Sequence, residues 1–192
     1  MSRLHVLIHR PKRTLAALAT TSLAVGVTLA SSASFTATSA NPSNTFTAGT
    51  LTMANSKSGA AILTASALRP GDPPATGTVD IQNTGSLSGA FMLAKSAPVD
   101  SDGTYPMSAK LNTVVTDCGA WTAGGTVANP CGDGDDVVKY TGLLSTMPAS
   151  IALGTFGADE KHTYKFSVGF DPSADNNYQG DSSTVRFDWD AS

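Results

Sequence analysis

Apolar and polar residues alternate with period two along several short stretches of this chain, and Gly, Pro, Asn or Asp closes most of them. Such alternation turns one face of a strand to a core and the other to water. The clearest cases lie near the end. Tyr164, Phe166, Val168 and Phe170 alternate with Lys165, Ser167 and Gly169, and Val185, Phe187 and Trp189 alternate with Thr184, Arg186, Asp188 and Asp190. These two runs are expected to pack on one core. Further strands are predicted over residues 45–53, 61–67, 78–83, 90–96, 111–116, 137–140 and 151–156. Turn chemistry separates them at Pro70-Gly71-Asp72-Pro73, Asn83-Thr84-Gly85, Asp100-Ser101-Asp102-Gly103 and Asp171-Pro172. Helical periodicity is poor, apart from a turn around residues 141–146. Seven to nine short strands without alternating helices predict an all-β fold, an antiparallel β-sandwich of jelly-roll type.

The start of the chain follows a different pattern. Arg3, Arg10, Lys12 and Arg13 occur with no acid, and an uncharged apolar run follows over residues 15–30. A basic stretch before a short apolar one is the form of a secretory signal peptide. Thr20, Thr21, Ser22 and Thr28 dilute the run below what a spanning helix needs. Small residues at Ser31 and Ala33 place the cut after Ala33, with Ala37 and Ala40 as alternatives. The expected organisation is a signal over 1–33 and a single β-sandwich over 34–192, with an N-terminal arm over 34–44. No Leu-Pro-x-Thr-Gly sorting signal or second apolar span occurs before Ser192, so neither wall attachment nor a C-terminal anchor is expected.

Removing the signal changes the charge balance. Eight Lys and Arg then face fifteen Asp and Glu, a net charge of −7. An acidic surface repels nucleic acid and anionic lipid, so neither is an expected partner. The two cysteines, Cys118 and Cys131, bracket a Gly-rich stretch, and in an exported chain such a pair is expected to form a disulfide. A metal or redox pair is the alternative, without a Cys-x-x-Cys spacing to support it. Residues 117–136 read as a long stapled excursion between strands.

Candidate chemistry is sparse. His162 is the single histidine after the signal, and following Glu160-Lys161 it reads as a solvated turn residue. No His-Glu-x-x-His zinc motif occurs, and Gly85-Ser86-Leu87-Ser88-Gly89 has leucine where a nucleophile elbow needs serine. No catalytic residues are assigned. Paired-carboxylate glycoside chemistry stays open among the aspartates. Asp133, Asp135 and Asp136 form an acidic stretch that is either a calcium site, since hard cations take several carboxylate oxygens on a bendable loop, or solvated loop charge. No other cofactor is expected. Trp121, Tyr140 and Tyr178 lie outside the strongest strands and are either anchors or a glycan platform.

Several segments, in order, resemble the TasA and camelysin (CalY)-like exported proteins that carry SipW-type signal peptides. They are Phe35-Thr36, then Phe46-Thr47-Ala48-Gly49-Thr50-Leu51, Leu68-Arg69-Pro70-Gly71-Asp72, Thr78-Val79-Asp80-Ile81-Gln82-Asn83-Thr84-Gly85, and Asn177-Tyr178-Gln179-Gly180 before Val185-Arg186-Phe187-Asp188-Trp189. The resemblance implies a jelly roll secreted by a Gram-positive-type cell, serving as a biofilm-matrix or surface fibre subunit beside other matrix or surface proteins. It implies head-to-tail self-assembly in which the arm, with Phe35, Thr36 and Phe46, completes a neighbour's sheet. An uncharged arm rich in Thr and Ser suits strand addition, and it either reaches a neighbour or folds back on its own domain. Some relatives are classed as metallopeptidases, but the missing zinc motif leaves no residues for that activity. The alternative to a fibre is a monomeric module presenting Trp121 and the acidic loop to a glycan or protein. The Cys118 to Cys131 insertion matches no motif of the family.

Overall fold

The computed structural model describes residues 47–122, 131–132 and 134–192. Among these residues ten strands are antiparallel throughout: β1 (Met53–Asn55), β2 (Ala75–Asn83), β3 (Gly89–Lys95), β4 (Val99–Asp100), β5 (Leu111–Thr122), β6 (Val137–Leu143), β7 (Ser150–Phe156), β8 (Glu160–Phe170), β9 (Ser183–Thr184) and β10 (Phe187–Ala191). One sheet runs β1-β2-β8-β5-β6 and the second β10-β3-β7, with β4 and β9 forming a small third ladder. The fold is an all-β sandwich. Strand β2 pairs with β8 while β3 pairs with β7, so a two-stranded ribbon crosses from one sheet to the other, the wrap of a jelly roll.

The core follows the alternation. Val79 and Ile81 of β2, Phe91 and Leu93 of β3, Val115 of β5, Phe156 of β7 and Tyr164 and Phe166 of β8 are fully buried. The two terminal runs share that core as expected. Phe166 meets Phe187 with ring centroids 4.8 Å apart, and Tyr164 meets Trp189 at 5.1 Å, both across the gap between sheets. Each such side chain contributes roughly 1.5–3 kcal/mol by leaving water.

Three predicted elements differ. Residues 61–67 form no strand. Ile62 and Leu63 pack partly against the core, and a Cβ at Gly77 of β2 would collide with the Ile62 carbonyl, so this segment tucks against the inward face of β2 instead of pairing at an edge. Of the strand predicted over 45–53, residues 45 and 46 lie outside the described residues, and among the rest only Met53 is in one. The Thr50 carbonyl accepts from the Ser86 and Leu87 amides and the Thr52 carbonyl from Thr84, so the chain here runs beside a turn, where no ladder can continue. The strand predicted over 111–116 extends to Thr122. Asp117-Cys118-Gly119 has the composition of a turn, but the register shifts between Asp117 and Ala120, and Gly119 takes φ +83° there. A bulge absorbs the turn signal and pairing resumes. The stapled excursion predicted over 117–136 therefore begins inside β5. The helical turn expected near 141–146 is a 3-10 turn over Leu144–Thr146.

Candidate functional site

Two features stand apart from the apolar core. The first is a node of ionisable groups at the end of the sandwich where β5, β6, β7 and β8 meet. Glu160, His162 and Tyr164 alternate on the inward face of β8. His162 Nδ1 lies 2.8 Å from Asp117 Oδ1 and Nε2 lies 3.0 Å from Glu160 Oε1. Lys139 Nζ sits 3.3 Å from Asp117 Oδ2 and donates to the Leu153 carbonyl at 3.1 Å. The Tyr164 hydroxyl reaches Asp117 Oδ2 at 3.5 Å, and Phe156 stacks on the imidazole at 4.2 Å. His162 is thus a half-enclosed bridge with a side chain 12% exposed, which corrects its reading as a solvated turn residue. The residue signalling this was already present: i, i+2 spacing along a strand puts Glu160 and His162 on one face with Tyr164.

Electrostatics follow from that geometry. Burial pushes the His162 imidazole down, but hydrogen bonds to Asp117 and Glu160 outweigh it and hold the ring above the usual histidine value. Burial likewise pushes Asp117 up, and the His162 bond and charge, with Lys139, bring it below the usual carboxylate value. Glu160 is lowered too, against desolvation, by the Gly157 amide and His162. Burial and the nearby Asp117 push Tyr164 far up, keeping it neutral. With both ring nitrogens engaged by carboxylates on opposite sides, the imidazole presents no lone pair to a metal and none to activate a hydroxyl or water.

A pH dependence follows. The raised His162 contributes stability that is fully present below its unfolded value, about 6.5, and is lost as pH rises through its folded value. The lowered Asp117 and Glu160 contribute stability present above about pH 4 and lost as pH falls through their folded values. Urea unfolding from pH 5 to 9 should show stability falling above neutrality, and His162→Gln should flatten that alkaline limb. An equally steep limb in the variant would remove His162 as its source.

The second feature is an open cleft of about 1420 Å³ beside β10, whose outer edge has no strand partner among the described residues. Ile62, Leu68, Val168, Phe170, Phe187 and Trp189 line it among the described residues, so core side chains form its floor. Its volume exceeds the roughly 300–1,000 Å³ of small-molecule sites. It is large enough for a length of polypeptide.

The predicted site residues are distributed as follows. Cys118, 2% exposed in β5, is bonded to Cys131 in a disulfide. Asp135 and Asp136 are exposed just before β6, with the Asp135 carboxylate against Gly119, while Asp133 lies outside the described residues. Among the described residues no group of three His, Cys, Asp or Glu is placed to hold a metal ion. Phe35, Thr36 and Phe46 also lie outside the described residues. Trp121 lies at the end of β5, its Nε1 donating to Thr163 Oγ1 at 3.3 Å and one ring face covered by the Lys161 ammonium at 3.9 Å. Lys161 in turn pairs with Asp80 at 3.0 Å, so this indole is anchored.

No protein-family model matches the chain, and no curated protein matches it. The class of protein defined by fold and site is a disulfide-bonded all-β sandwich with an open apolar cleft. No helix among the described residues is long and apolar enough to cross a membrane, and with the disulfide this is compatible with an extracellular protein.

Proposed function

We propose that this chain is an exported structural subunit, a building block of a biofilm-matrix or cell-surface fibre, in which residues 34–44 of one copy occupy the cleft of the next. The observation that carries this reading is the coincidence of an outer strand, β10, whose far edge has no strand partner among the described residues, with an apolar cleft floored by core side chains. Strand addition uses both, since edge amides and carbonyls supply backbone hydrogen bonds while the floor takes alternate side chains. Eleven residues fully extended span at most about 36–40 Å, ample for the length of β10. Within the arm, Phe35 is the bulky apolar side chain available for the floor. The segments resembling TasA and camelysin-like proteins favour the same assembly, and head-to-tail contacts that do not close make a filament.

Deleting residues 34–44 tests this directly. The intact chain should form filaments in electron micrographs and sediment as polymer, and the deletion variant should stay small while melting at an unchanged temperature. Filaments of undiminished length from the variant would sink the reading.

A further inference from the structure

Residues 61–67 have the composition of a strand and belong to none. Among the described residues, positions 61–68 neither donate nor accept a backbone hydrogen bond. The segment is nevertheless held at both ends. Ile62 and Leu63 at its start and Leu68 just beyond it pack partly on the core, and the Ile62 carbonyl approaches β2 so closely that it leaves no room for a Cβ at Gly77. Between these anchors Thr64, Ala65 and Ser66 are exposed. Ala67 takes φ +56°, in the left-handed region that a Cβ disfavours, and so interrupts the extended form open to the residues before it.

This segment and β10 both border the cleft. Ser192 exchanges two backbone hydrogen bonds with Ala90, and the Ser96 amide donates to the Arg186 carbonyl. Successive residues of an antiparallel strand turn their amides and carbonyls to alternate edges. Asp188 and Asp190 therefore also face β3, and the backbone groups of Phe187, Trp189 and Ala191 face outward into the open edge. The second sheet ends there at three strands, against five in the first. Over Gly77 of β2 the cover is the 61–67 segment and not a strand of that sheet.

We propose that residues 61–67 are a latent strand and the second hydrogen-bonding edge of the cleft. When an arm lies along the outward groups of Phe187 and Trp189, its other edge pairs with residues 61–67, and the second sheet grows from three strands to five. The inference rests on the arm-in-cleft reading and adds to it the second partner of the arm. A strand added to β10 alone would carry a new open edge, the feature that invites further pairing. Pairing with residues 61–67 closes it. The segment gives up no backbone hydrogen bond in straightening, and Ala67 leaves its left-handed conformation.

Hydrogen exchange on the mature chain, and on the variant lacking residues 34–44, tests this. In the variant the amides of residues 61–67 should exchange as fast as those of an unstructured peptide. In the assembled chain they should exchange ~100-fold or more slowly, together with the amides of Phe187 and Trp189. Slowing at Phe187 and Trp189 alone overturns the latent strand and leaves the arm in its cleft, and slow exchange of residues 61–67 in the variant overturns it as well. Slowing at both edges in a chain that sediments as a monomer supports the latent strand with the chain's own arm in the cleft, and overturns the fibre reading instead. If neither edge is slowed, both fail.

Discussion

Replacing Asp117 by asparagine is expected to lower the unfolding free energy by about 3–5 kcal/mol, the cost of removing one partner from a buried charge pair. The carboxylate side chain is 6% exposed and answers two cations, Lys139 through Oδ2 and His162 through Oδ1. An amide keeps the shape and can accept one of these bonds, but it brings no charge, and its NH₂ would face a donor. Lys139 cannot recover by turning outward without releasing the Leu153 carbonyl. His162 keeps Glu160, whose side chain is 29% exposed and therefore a weaker anchor. The deficit should shrink as pH rises above the range where the imidazole is charged, because a neutral ring needs no anion. Urea midpoints at pH 6 and pH 9 measure both quantities. A loss below about 1 kcal/mol, the range of surface pairs, would mean that Asp117 is effectively solvated and the node is ornament on the sheet.

Much of this fold can be read from the chain because its strongest strands are half-buried. Tyr164, Phe166 and Phe170 in β8, with Phe187 and Trp189 in β10, alternate cleanly, and the sheets meet where that alternation says they should. The reading fails where a local signal competes with a tertiary one. Asp117-Cys118-Gly119 carries the residues of a turn, and only the partner strand β8 decides that a bulge absorbs them. Residues 61–67 have strand composition, yet the space beneath Gly77 draws Ile62 and Leu63 inward. The node was hidden for a related reason. Glu160 and His162 announce themselves as an i, i+2 pair, but Asp117 and Lys139 come from strands 43 and 21 positions before Glu160 and meet them only through sheet order. The β5–β6 register also shifts between Val115 and Thr116, so Lys139 turns inward where period two would place it outside.

Reducing the Cys118–Cys131 disulfide is expected to cost about 3 kcal/mol, because a bond between residues 13 apart removes loop-closure entropy from the unfolded chain. In a domain of this size that corresponds to a fall of roughly 6 to 12 °C in Tm. Melting with and without a phosphine reductant measures it, and Cys118→Ala with Cys131→Ala should reproduce the reduced value. The position of Cys118 makes a finer test available. It directly follows Asp117 at the bulge, so the disulfide either restrains the unfolded chain alone or also holds the β5 bulge that aims the Asp117 carboxylate. In the first case its loss and that of Asp117 add to within about 0.5 kcal/mol; in the second the triple variant is less destabilised than the sum, since the node is already loosened. The tight packing of Cys118 beside the node favours the second outcome. Strict additivity would confine the disulfide to the unfolded state, and an unchanged Tm on full reduction would deny it any part in stability.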